Sequence, residues 1–235
     1  MTTPDLRCPP GVPSIPARPT SNAPVRITIV RSAGTVKNHP AVDQALSEAA
    51  ARLADAGYEV DEAPGDMPLL AEAHRLWTLL VLEDFRTILP IVEELGDDAI
   101  RTVSKHYFAA AATIWGEQPS LPTYINGWAR RGLLIRRLQE LLGSNRMLLT
   151  PVSAELPFEQ DADLVAPERT AEILAAQWAM TSVPILGFPA VSVPTTLTDG
   201  LPIGVQLIGG RFEEDLLLDA AQAIEERTPL FRSWT

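Results

Sequence analysis

The side chains able to do chemistry in this 235-residue chain are few. Its three histidines, His39, His74 and His106, pair with no second histidine or acid at the spacing of HExxH, and no CxxC occurs. No metal centre and no cofactor is therefore expected. The single cysteine, Cys8, excludes an internal disulfide and sits in "RCPPGVPSIPARP", poor ground for a positioned nucleophile. Ser104, Lys105 and His106 are consecutive, and neighbours on a helix project about 100° apart, so they do not face one another as a Ser–Lys pair. There is no GxSxG elbow, no P-loop and no GxGxxG after a strand. Ser144, after the helix-ending Gly143, reads as a turn residue. The acid pairs Asp97/Asp98 and Glu213/Glu214 read as helix starts, and Arg130, Arg131, Arg136 and Arg137 as a solvated helix face. By residue type alone, no catalytic residue is assigned.

The elements that could position a site are clearer. An apolar fraction of 46% with 21% charged residues is that of a globular domain. A formal charge of −11 argues against nucleic acid and anionic lipid as partners, since both demand a basic face. No apolar run is long enough to span a membrane, and the N-terminus lacks a signal-peptide pattern, so a cytoplasmic location is expected. Residues 1–24, with seven prolines, read as an extended linker or strap. "VRITIVRS" reads as a strand, the following segment as a helix with Val42, Leu46, Ala49, Ala50 and Leu53 on one face, and "YEVDEA" as a second strand. That is a βαβ unit with parallel strands. Helical patterns fill Pro68 to Gly143, with a kink or break at Pro90. "RMLLTPVSAELPF" reads as a buried strand entering a loop, "APERTAEILAAQWAMT" as one helix, and "PAVSVPTTL" and "LPIGVQLIG" as strands of a hairpin turning at "TDG". "EEDLLLDAAQAIEER" closes the chain as a helix, its first-turn acids favoured by the dipole.

"GFPAVSVPTTLTDGLPIGVQLIGGRFEEDLLLDAAQAIE" closely resembles the C-terminal block of the amidase signature family. Gly187, Pro189, Ala190, Pro194, Gly200, Leu201, Pro202, Gly204, Gln206 and Gly209 fall where the family has them, and Asp199 stands in the intervening turn. The post-triad βαβ unit and the "LLTP" segment are similar too. The resemblance implies an α/β fold: the C-terminal part of a mixed sheet flanked by helices, with a helical insertion over about 68–143. On it, residues 25–235 form a partial amidase-signature domain. It implies hydrolysis of carboxamide C–N bonds by a Ser–cis-Ser–Lys triad. The chain's two lysines, Lys37 and Lys105, are not in the family's context, and no Ser-Ser or Gly-Gly-Ser string is present. The expectation is therefore a C-terminal half, inactive alone, that supplies scaffold and substrate pocket. Two departures from the family's pattern bear on the substrate: Arg146 stands where the family has Asp, and "SVPILG" lacks an Asn before "GxPA".

Carried over by position, Gln177, Trp178 and Thr181 become pocket-lining candidates for a small-molecule amide, with core packing as the other reading of Trp178. Gln206, a polar residue inside an apolar strand, needs a hydrogen-bond partner; a satisfied core amide and a substrate contact both remain open. The implied partners are an N-terminal amidase half or a second copy of the chain. The rival readings are a non-catalytic binding or assembly protein that retains half the fold, and a truncated or split reading frame.

Overall fold

A computed structural model describes residues 25–34, 36–143 and 145–228. The linker or strap expected over 1–24, including Cys8, and the turn at Ser144 lie outside the described residues. Strand β1 (Arg26–Ile29), helix α1 (Pro40–Asp55) and strand β2 (Glu59–Glu62) form the βαβ unit, β1 pairing parallel with β2 in register Ile27 with Val60. Pro40 is well placed in the first turn of α1, where its missing N–H has no intrahelical partner to lose. His39 caps that helix, its Nδ1 accepting from the Ala41 N–H at 3.2 Å.

Helices α2 (Pro68–Arg86), α3 (Leu89–Leu95), α4 (Asp98–Trp115) and α5 (Leu121–Leu142) follow. The chain breaks at Thr87–Ile88, so Pro90 opens α3 instead of interrupting a longer helix. Asp97 caps α4, its carboxylate accepting from the Ile100 N–H at 2.9 Å. Strand β3 (Arg146–Pro151) then enters the sheet beside β1, parallel to it. After a single 3₁₀ turn (Ala162–Leu164) come α6 (Pro167–Ala176), α7 (Trp178–Leu186), the hairpin β4 (Ala190–Thr198) and β5 (Leu201–Ile208), and α8 (Glu214–Glu226).

The result is one mixed five-stranded sheet in the order β2-β1-β3-β5-β4. β5 runs antiparallel to both β3 and β4. Alternation splits the core into two layers. Ile27, Ile29, Met147, Leu149, Val205 and Leu207 pack under α1 and α8. Leu148 and Ile208 pack under α2, α5 and α7. Both faces of the sheet's centre are thus closed. For that reason Thr28, a polar residue of β1, is buried at 6% exposure. The hairpin turns on Asp199 (φ 53°) and Gly200 (φ 80°), the left-handed pair that a two-residue turn between twisted strands requires.

Two readings of the sequence are corrected. The helix expected over 166–181 is two helices, with Gln177 at the joint (φ −89°, ψ 24°), because α7 turns to pack on α2. Arg131 is not solvated: it is half-buried and donates to the Ile185 carbonyl. Glu213 stands at the start of α8, as read, without a side-chain cap; its carboxylate accepts from the Gly210 N–H at 3.1 Å.

Candidate functional site

Helix α7 carries two of the four pocket candidates. Trp178 is fully buried in the layer with α2 and α5, yet its indole Nε1–H has no hydrogen-bond partner among the described residues. One turn on, Thr181 faces α2, where its Oγ1 lies 2.7 Å from His74 Nδ1. With the hydroxyl donating to the Gln177 carbonyl at 3.1 Å, Nδ1 carries the proton and donates to Oγ1. Burial pushes the His74 imidazole down to about 4, so it is neutral at physiological pH. The contact joins positions 107 residues apart in the chain, and no local pattern signals it. Gln177, half-buried, occupies the α6–α7 joint.

Gln206 comes from the sheet. Two residues before Ile208 on β5, it shares the face turned to α2, α5 and α7. It is 2% exposed, and its Nε2 has no partner among the described residues, so the satisfied-amide reading fails for its donor end. Register places Thr150 of β3 on one side of it and Ser192 of β4 on the other. Ser192 is exposed and Thr150 fully buried, so a polar row runs from the edge strand into the sheet. Sequence reasoning flagged Gln206 but missed this row, whose signal is a polar residue at matching register in three strands. Two buried donors, an indole N–H and a carboxamide N–H, are chemically suited to carbonyl oxygen, the acceptor an amide presents. What relates Trp178 to Gln206 is the helical layer that both face.

The end of α7 is held by cations. Arg131 of α5 donates to the Ile185 carbonyl, and Arg211 donates to those of Gly187 at 3.4 Å and Leu186 at 3.5 Å. Their guanidinium groups also lie over rings, Arg131 at 5.4 Å from the Trp128 centroid and Arg211 at 5.6 Å from that of Phe188. Burial, and then the charge of Arg211, lower Arg131 from its usual value. Gly187 ends the helix at φ 69°, a conformation that glycine adopts without a Cβ penalty. The first residue of the "GFPA" block is therefore a helix stop. Asp199 and Gly200 form the hairpin turn, while Pro194, Pro202 and Gly204 lie within the strands. Pro189 precedes β4, and its carbonyl accepts from the Gly209 N–H at 3.1 Å.

The amidase family model matches residues 2–218. The chain belongs to the amidase family. It is 32% identical to an indoleacetamide hydrolase of Bradyrhizobium japonicum, over 97% of this chain and 48% of the relative. A glutamyl-tRNA(Gln) amidotransferase subunit from Cenarchaeum symbiosum is 35% identical over 42% of this chain and 20% of its own length. Among solved structures, an allophanate hydrolase of Kluyveromyces lactis superposes with a TM-score of 0.66 at 20% identity, covering 90% of this chain and 33% of that one. The fold is therefore that of amidase enzymes. The chain spans about half the length of the indoleacetamide hydrolases it matches. Both lysines are exposed, Lys37 after β1 and Lys105 on α4, and buried Ser104 donates to the Ile100 carbonyl at 2.6 Å.

Proposed function

We propose that this chain supplies the scaffold and part of the substrate pocket of an amidase that hydrolyses a small carboxamide, while the serine nucleophile and its lysine come from a complementary amidase segment. The observation that carries this reading is the pair of orphaned buried donors, Trp178 Nε1 and Gln206 Nε2, in a chain of amidase fold. An unpaired buried donor costs roughly 1–3 kcal/mol, which a substrate carbonyl or a group of the complementary segment would offset. Gln177 and Thr181 join them as pocket residues, Thr181 through its hold on His74.

An arylalkyl amide is the substrate class we favour. The similarity to indoleacetamide hydrolase covers 97% of the chain and so includes the helices α2–α5, whereas those to the amidotransferase subunits of Cenarchaeum symbiosum and Archaeoglobus fulgidus cover 42% and 57%. No helix of the described residues is long and apolar enough to cross a membrane, and a cytoplasmic setting fits the single cysteine. The exposed side of the edge strand β4, at Ala190, Ser192 and Pro194, is where the complementary segment or a second copy of the chain would pack.

The test is complementation. The 235-residue chain alone should release no ammonia from indole-3-acetamide and take no fluorophosphonate label on serine. Mixed with the N-terminal half of the Bradyrhizobium relative, it should do the first, with the label on that half. A labelled serine in this chain alone would overturn the reading.

A further inference from the structure

A cavity of about 640 Å³ opens between α2, the end of α4 and α5, on the side of α2 away from the His74–Thr181 contact. That volume lies in the range of small-molecule sites. Its floor is apolar: Leu76 and Leu79 are buried at 4% and 1% exposure, and Trp115 presents its ring. Trp115 is fixed by its Nε1–H, which donates to Thr78 Oγ1 at 3.0 Å. The mouth carries Glu72, Arg75 and Arg130.

These charges do not cancel. Both oxygens of Glu72 are taken by Arg130, whose Nη2 donates at 2.9 Å and whose Nε donates to the other oxygen. Glu72 lies below the usual carboxylate range, foremost through that hydrogen bond and, against burial, through the charges of Arg130, Arg137 and Arg75. Arg75 is left with no carboxylate partner among the described residues, its guanidinium 5.5 Å from the centroid of Trp115. A protein of formal charge −11 thus sets a surplus of cation at the rim of an apolar cavity. An aromatic face backed by a guanidinium fork fits a flat apolar body ending in a planar anion. Inorganic phosphate would leave the apolar floor unused, and a neutral aromatic would leave Arg75 unmatched.

We infer that this cavity binds a small arylalkyl carboxylate, with the carboxylate on Arg75 and the ring against Trp115, Leu76 and Leu79. Such binding does not depend on the proposed hydrolysis and is tested on the chain by itself. Calorimetric titration of the full chain with 1-naphthylacetate should show one saturable site. The uncharged 1-naphthylacetamide should bind at least tenfold more weakly. Arg75→Gln, at an exposed position, should weaken the acid at least tenfold and leave the affinity for the amide unchanged, with circular dichroism confirming the fold. Arg136→Gln removes the same charge from an exposed position of α5 that does not line the cavity, and should alter the affinity less than twofold. Equal binding of acid and amide, equal losses in the two arginine variants, or no saturable heat with the acid would each overturn the inference.

Discussion

His74 shows how one buried group sets a pH dependence. Its pKa falls from 6.5 in the unfolded chain to about 4 in the fold, because burial disfavours the imidazolium. Between those values the unfolded chain binds the proton and the folded chain does not, so stability falls as pH drops from 6.5 towards 4. The full effect is about 3 kcal/mol. Urea titrations at pH 7 and pH 4.5 should show this slope, and His74→Gln should flatten it. Gln206 acts in the opposite sense. Its Nε2 has no partner among the described residues, so Gln206→Met, of similar shape, should raise the stability of the isolated chain by about 1 kcal/mol in the same assay. In the complemented enzyme that variant should lose ammonia release if Nε2 meets the substrate.

At the scale of elements, the turn between β4 and β5 is the most local feature of the fold. Asp199 at φ 53° suits Asp or Asn, whose short polar side chains tolerate this region. Asp199→Asn should leave the urea midpoint unchanged, and Asp199→Val should cost about 1–2 kcal/mol. The turn was legible because its determinant is two adjacent residues, as were the βαβ unit from Val42, Leu46 and Leu53 and the break before Pro90. The joint at Gln177 was not, since no proline or glycine stands there and the bend comes from α7 packing on α2. The same holds for the candidate site. Gln206 announces itself as polar in an apolar strand, whereas the His74–Thr181 bond and the Arg131–Ile185 anchor depend on how distant helices meet.

For the whole molecule, the sheet is finished on one side and open on the other. β2 ends it with Glu59, Asp61 and Glu62, a short charged strand that discourages pairing. β4 ends it with nine residues whose outer face includes Ala190, Ser192 and Pro194, all exposed. An edge of that length invites association. Light scattering of the isolated chain should therefore show a mass rising with concentration, and Ser192→Lys should shift it towards monomer. A mass independent of concentration would assign this face to no second copy.

Helix α7 has nine residues with Pro184 among them, too short and too interrupted to persist by itself. It is held from three directions: by His74 of α2, by Arg131 of α5 and by Arg211 beyond β5. Its amide protons should accordingly exchange with deuterium no faster than those of α2 and α5, as parts of one cooperative opening unit. Loosening α5 by Arg131→Ala should then deprotect Val183 to Gly187, a segment the substitution does not touch in sequence. The strand that begins the family's signature block would inherit any motion of the helical layer, with Arg131 and Arg211 as the couplings.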